Sequence, residues 1–242
     1  MSGHVWNGSV WERAKAMHVW NGSIFEQIDK AYWWNGSSFE LLYARPISIV
    51  DDFNRANSST IGPLWNKTGT NTGISSNTLA FTGTSDGSGG AVTVGQINND
   101  DGYAEVVMGT MGSSTNTSDT SLFVRCNAAG TSALSLNIFG NKMYLSKFAH
   151  ASGLAAGNAG QGMSDIASNT SVTVATGDTI RLEFEKDSYV VKRNGAAVSG
   201  MSVTDSSVAR GPGQRYGALR LERNPFANSG AVNSFKLADI GA

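Results

Sequence analysis

TIRLEFEKDSYVVKRNG, residues 179–195, alternates apolar and charged side chains with a period of two. Ile180, Leu182 and Phe184 fall on one face of an extended chain, and Arg181, Glu183 and Glu185 fall on the other. A second run, 189–193, follows at once, and Asn194-Gly195 ends it with a tight-turn dipeptide. This is the signature of half-buried antiparallel strands. Working outward, similar short runs lie at 78–83, 90–94, 102–108, 121–126, 133–139, 142–147, 171–174, 215–222 and 234–240. Gly140-Asn141 is a further tight turn. About ten strands with turns at short intervals predict an all-β antiparallel sandwich over residues 46–242.

Composition agrees. The 242 residues include 29 glycines, with 40% hydrophobic and only 15% charged residues. The chain solvates itself with hydroxyls and amides, which are turn-formers and poor helix-formers. The formal net charge of −1 argues against a nucleic-acid partner, because phosphate binding needs clustered cations. The nearest thing to a cluster is Arg210, Arg215, Arg220 and Arg223, spread among glycine and apolar residues. No apolar run approaches the ~18 residues of a membrane span. The first residues lack the basic and apolar regions of a signal peptide, so synthesis in a cytoplasm is expected. The single cysteine, Cys126, excludes an intramolecular disulfide framework and reads as a buried thiol.

Residues 4–45 divide into three units of 14: HVWNGSVWERAKAM, HVWNGSIFEQIDKA and YWWNGSSFELLYAR. Each reads as one short hairpin, with Asn-Gly as a type I′ turn and aromatics meeting across the strands. The aromatic pairs are Trp6 with Trp11, Trp20 with Phe25, and Trp34 with Phe39. A lone hairpin is marginal in water. The repeats therefore serve as an anchor or oligomerisation element, pack only on themselves, or stack their rings on sugars. His4 and His18 share a repeat position that Tyr32 fills in the third unit, so a metal site there would lack its third ligand.

Two sets of residues carry a resemblance. Asp51-Asp52-Phe53-Asn54-Arg55-Ala56 and Ile61-Gly62-Pro63-Leu64-Trp65 look like the opening of concanavalin A-like (laminin G/lectin-glucanase) jelly rolls of phage tail proteins. Residues 177–198, 205–222 and 234–240 are similar to the end of the same domain. In that family the first and last strands lie side by side, which suits Asp52-Phe53 and Phe235-Lys236-Leu237. The WNGSxxE repeats resemble those of actinobacteriophage minor tail proteins. The combination implies a structural virion protein near the tail tip, often a homotrimer, that contacts other tail proteins and the host surface. The expected division is repeats at 1–45 and a jelly roll at 46–242.

Chemistry has few footholds. Glucanases of this fold carry three carboxylates at i, i+2 and i+4 on one strand, in the order Glu-Asp-Glu. Glu183, Glu185 and Asp187 share the spacing but not the order. They read as solvated carboxylates, with a glycan hydrolase as the alternative. A purely structural decoration protein is the other alternative. His150, in a Gly/Ala-rich stretch at 149–162, is thin support for a catalytic base, and that stretch is either a partner-covering loop or a linker. Asn98-Asn99-Asp100-Asp101-Gly102 resembles a calcium loop only loosely and lacks the distal Glu. The expectation is a binding protein, not an enzyme, with no cofactor or metal and with host cell-wall glycan as its ligand. Its aromatic candidates in the sandwich are Tyr103, Tyr144, Tyr189 and Tyr216.

Overall fold

The computed structural model describes residues 4–6, 9, 11–13, 16–111, 117–155, 161–224 and 227–242, without the side chains of 4–6, 11–13 and 155. Among these residues there is no α-helix, and no helix long and apolar enough to cross a membrane. Three hairpins come first: β1 (His4–Trp6) with β2 (Trp11–Arg13), β3 (His18–Trp20) with β4 (Phe25–Gln27), and β5 (Lys30–Trp34) with β6 (Phe39–Ala44). The strands β7 (Ser48–Asp51), β8 (Trp65–Thr68), β9 (Thr72–Ser75), β10 (Thr78–Phe81) and β11 (Gly87–Thr93) follow. Then come β12 (Gly102–Met108), β13 (Thr120–Cys126), β14 (Ser132–Ile138), β15 (Met143–Ala149) and β16 (Met163–Asn169). The last are β17 (Thr179–Glu185), β18 (Ser188–Arg193), β19 (Ala196–Thr204), β20 (Tyr216–Arg223) and β21 (Val232–Asp239).

They build an antiparallel jelly-roll sandwich. One sheet runs β19-β18-β17-β12-β21-β10-β9, with β7 also paired to β21; the other runs β16-β15-β14-β13-β20-β11-β8. Ala104, Val106, Ile180, Leu182 and Leu237 of the first sheet meet Leu122, Val124, Leu134, Leu136 and Leu219 of the second. Strand β17 keeps the alternation expected of it, with Ile180, Leu182 and Phe184 buried. Asn194 and Gly195 have φ of 52° and 82°, so both central residues of that turn are left-handed as a type I′ hairpin requires.

The repeat turns differ from expectation. Trp20 pairs with Phe25 and Trp34 with Phe39, which leaves four residues in each loop rather than two. Gly22 and Gly36 have φ near 100°, while Asn21 and Asn35 do not take positive φ. The Asn side chain closes the loop instead. Asn21 Oδ1 accepts from the Ser23 and Ile24 amides at 2.9 and 3.0 Å, and its Nδ2 donates to Glu26 at 2.5 Å. Asn35 repeats this with Ser37, Ser38 and Glu40. The Asn and Glu of the repeat are thus a matched turn clasp.

The stretch 171–174 is not a strand; it crosses between sheets, with the Val174 amide bonded to Gly140 O at 2.9 Å. Part of the 149–162 stretch packs on the sandwich. A short 3₁₀ turn, Gly153–Ala155, buries Leu154 against Val92, Phe123 and Phe148 on the outer face of the second sheet. Gly90 permits this approach, because a Cβ there would lie 2.9 Å from Leu154 Cβ and 2.7 Å from Leu219 O.

First and last strands do lie side by side, with Phe235 opposite Asp51 and Leu237 opposite Ile49. Asp51 is the node. It accepts from the Phe53 amide at 2.8 Å, from Arg55 Nη1 and Nη2 at 2.8 and 2.7 Å, and from Trp65 Nε1 at 2.7 Å. Burial alone would raise its pKa, but Arg55, the Phe53 amide and Trp65 together hold it below 3.8. Its contribution to stability is therefore present above that pH and lost as pH falls through the lowered value. Asp51→Ala should destabilise the sandwich by roughly 3–5 kcal/mol, read as a lower melting temperature at neutral pH. A melting temperature within experimental error of the parent would refute this role for Asp51.

Candidate functional site

A cleft of about 670 Å³ lies on the outer face of the first sheet. Alternation puts it there. Gly102, Ala104 and Val106 of β12 face the core, so Tyr103 faces out. On β17 the same rule turns Arg181, Glu183 and Glu185 outward beside it. The β17–β18 hairpin, with Lys186 at φ 51°, brings Asp187 and Ser188 to the rim, and Thr204 and Ile240 complete the walls.

The half-buried Tyr103 ring is framed by cations. The Arg181 guanidinium carbon sits 4.2 Å from the ring centroid and Lys236 Nζ 5.2 Å from it. Arg181 is itself fixed by Glu105 at 2.7 Å and approaches Glu183 at 3.5 Å. Glu183 is also held by Lys192 at 2.8 Å, and Asp187 by Arg210 at 3.2 Å. Glu185 is exposed. Of the three carboxylates with glucanase-like spacing, two are committed to ion pairs and the third stands in solvent.

The other aromatic candidates scatter. Tyr189 is a correction: it is 0% exposed, because β18 turns Tyr189 and Val191 into the core, and it presents no ring to a ligand. Tyr144 is half-buried and stands edge-on to Phe139 at 5.9 Å. Tyr216 packs against the apolar cluster outside the second sheet. In the repeats, Trp20 and Phe25 are 55% and 70% exposed, and Trp34 and Phe39 are 53% and 73% exposed. Both pairs have ring centroids 5.1 Å apart. The side chains of Trp6 and Trp11 lie outside the described residues. Tyr103 is thus the one tyrosine candidate that faces the large cleft.

The loop at 98–102 spends its carboxylates on protein partners. Asp100 pairs with Arg215 at 2.7 Å, and Asp101 accepts from the Lys186 amide at 2.8 Å. Among the described residues no group of three His, Cys, Asp or Glu is placed to hold a metal. The four arginines 210, 215, 220 and 223 each pair with a carboxylate. Burial pushes the Cys126 thiol up to about 12.

One cluster lies beyond what alternation predicts. The outer face of the second sheet is polar yet buried. Ser135 donates to Asn137, Asn137 to Ser146 and Ser146 to Asp165, at 2.5, 3.1 and 2.6 Å. Beside this chain Arg220 Nη2 meets Glu222 at 2.5 Å, and both side chains are almost fully buried. Ser121 donates to Asp119 at 3.0 Å. Arg220 and Glu222 alternate with Leu219 and Leu221, so in sequence they look like a solvent face. The available signal is in the neighbours: Ser121, Ser135, Asn137 and Ser146 are small and uncharged, which a solvated face does not require.

No protein-family model matches the sequence, and no curated protein matches it. Among solved structures the chain is similar to the exoplasmic/lumenal domain of VIP36 in its Ca2+/Man3GlcNAc-bound form. The identity is 13%, covering 78% of this chain and 86% of that one, with a TM-score of 0.55. It is also similar to the apo Crh5 transglycosylase, at 16% identity over 79% and 84% of the two chains, with a TM-score of 0.50. At these identities the likeness is one of fold.

Burial, with Asp119 alongside, pushes Glu222 up to about 10 from an ordinary 4.5. A raised folded pKa means its stabilising share is complete below about 4.5 and falls as pH rises toward about 10. Glu222→Gln should therefore remove part of the stability loss between pH 6 and 9, at up to about 1.4 kcal/mol per pH unit. Urea unfolding at the two pH values measures this, and an unchanged pH slope in the variant would contradict it.

Proposed function

We propose that this chain is a structural, non-catalytic surface protein of a tailed-phage particle, placed near the tail tip, whose sandwich binds host-envelope glycan. The observation that carries the binding role is Tyr103. Its ring stands half-exposed in an open cleft, with carboxylates, a guanidinium and hydroxyls arranged around it. Sugar recognition asks for that combination: an apolar platform for the ring face and polar groups for the hydroxyls. VIP36 and the Crh5 transglycosylase support the reading, since a protein of this fold is described with a bound mannose-containing glycan and another as acting by transglycosylation. The ion pairs at Glu183 and Asp187 favour binding over hydrolysis at this cleft.

The repeats act as the anchor. Their Trp–Phe pairs are exposed, as are Val19, Ile24, Tyr32 and Trp33. Each hairpin is a separate two-stranded sheet with unpaired edges. Exposed apolar surface of this kind marks an interface. A partner that covers all three hairpins at once must present matching sites at the same 14-residue period. A second and third copy of the chain do so by construction, and three linked weak contacts then reinforce one another. A homotrimer seated on other tail proteins follows.

Tyr103→Ala should weaken retention on host-envelope glycan at least about tenfold, as expected for loss of a central aromatic anchor. Glu183→Gln should leave it intact, with no sugar released by either protein. Release of reducing sugar by the parent that is lost in Glu183→Gln would instead make the protein a hydrolase. For the anchor, light scattering should give a trimer for the full chain and a monomer when Trp20, Phe25, Trp34 and Phe39 are all changed to Ser. A stable parent monomer would end the oligomer reading. Immunogold labelling of particles should mark the distal tail; label on the capsid or along the tube would favour a decoration protein.

A further inference from the structure

Strand β13 loses register with β20 between Phe123 and Cys126. Arg125 sits in that bulge with φ of 49°, a left-handed conformation uncommon outside glycine. The extra residue breaks the alternation, so Phe123 and Cys126 both join the outer apolar cluster. Bulges of this kind re-aim one side chain. Here the re-aimed group is a cation with only 2% exposure.

Its surroundings leave it incompletely matched. Nη2 donates to Lys186 O at 2.7 Å. Asp101 approaches no closer than 4.0 Å, and the Phe184 and Tyr189 rings lie 5.3 and 5.8 Å from the guanidinium carbon. Nε is buried with no acceptor, and so is the hydroxyl of neighbouring Tyr189. An unsatisfied buried donor is costly, and more so when it belongs to a charged group. Strained backbone and unmet donors together mark a position held for something other than packing.

Arg125 also lines a second cleft of about 360 Å³. One wall is the sheet end, with Ser132, Phe148 and Ser164. The facing wall is the 205–214 loop, tied down by Arg210 to Asp187 at 3.2 Å and by Ser207 to Lys147 at 3.1 Å. Lys147 adds a second positive charge at the rim, shared with Asp205 at 3.6 Å. The cleft therefore combines a buried guanidinium, a rim ammonium, serine hydroxyls and an aromatic wall.

We propose that this cleft binds a sugar acid, with the carboxylate taken by Arg125. A carboxylate against the part of the guanidinium that lines the cleft supplies a closer charge partner than Asp101 at 4.0 Å, in the fork geometry that suits guanidinium. The serine hydroxyls and Gln214 face the sugar hydroxyls, and Phe148 backs the ring. The sugar part of this assignment rests on the glycan-binding reading above; the anion part rests on Arg125 alone.

Calorimetric titration of the full chain with sodium glucuronate, glucose, sodium acetate and inorganic phosphate tests it. Glucuronate should bind, and the other three should bind at least about tenfold more weakly. Arg125→Lys should weaken glucuronate about ten- to a hundredfold, the size of one lost charge-assisted hydrogen bond. Ser164→Trp fills the cleft from an exposed position; it should abolish binding while the melting temperature stays unchanged. Tyr103→Ala should leave glucuronate binding as it was. Absence of glucuronate binding, or its survival in both cleft variants, overturns the proposal. Equal binding of acetate or phosphate overturns the sugar assignment. Loss of glucuronate binding only in Tyr103→Ala moves the ligand to the first cleft and also overturns it. Failure here alongside intact envelope retention leaves the glycan-binding reading standing.

Discussion

The carboxylate of Asp51 joins the two sheets. It sits where β7 ends against β21 in the first sheet, and it accepts from the indole of Trp65, where β8 of the second sheet begins. Arg55 neutralises it, and the Phe53 amide completes its shell. The rings around it pack together, with Phe53 stacked on Trp65 at 5.8 Å and Phe235 edge-on to Trp65 at 4.9 Å. Apolar packing alone is non-directional and would let one sheet slide on the other. A buried, fully hydrogen-bonded carboxylate does not, since leaving any one donor unmatched is costly. Strand β21 pairs with β7 on one side and with β12 on the other, and β12 and β17 carry the residues of the Tyr103 cleft.

The two outer faces are treated differently. The first sheet leaves its outer face open, so Tyr103 and its charged neighbours stand in a cleft. The second sheet buries much of its outer face, at one end under Leu154 and with polar chains from Ser135 to Asp165 and around Arg220. An open face with a fixed ring suits reversible contact with a large ligand. A buried polar face couples stability to pH through Glu222. The left-handed Arg125 lies between these regimes, in a bulge that turns one side chain of an otherwise alternating strand.

The repeats divide their seven-residue motif between two tasks. Asn, Gly and Glu build the loop, with glycine supplying the positive φ and the Asn side chain bridging backbone amides to Glu. Trp and Phe are left free to pair across the strands, and in the second and third repeats, where the side chains are described, the rings lie 5.1 Å apart. A rigid clasp thus presents a repeated aromatic surface at little entropic cost.

Strands with one face in the core are legible in the amino-acid sequence: β10 to β15, β17, β18, β20 and β21 all show alternation or a compact apolar run. The five that lack such a pattern, β7, β8, β9, β16 and β19, are all sheet edges or pair outside the main path. An edge strand such as β16, MSDIASN, is held mainly by backbone bonds to one neighbour, so its side chains carry little pattern. The Tyr103 side of β12 can be read from the period of two, but its cleft cannot, because the walls come from β18, β19 and the chain end. The bulge at Arg125, the burial of Arg220 and Glu222, and the core position of Tyr189 belong to the same class. Periodicity tells which residues share a face; only the packing of distant segments tells whether that face meets water, because burial depends on what the rest of the chain lays over it.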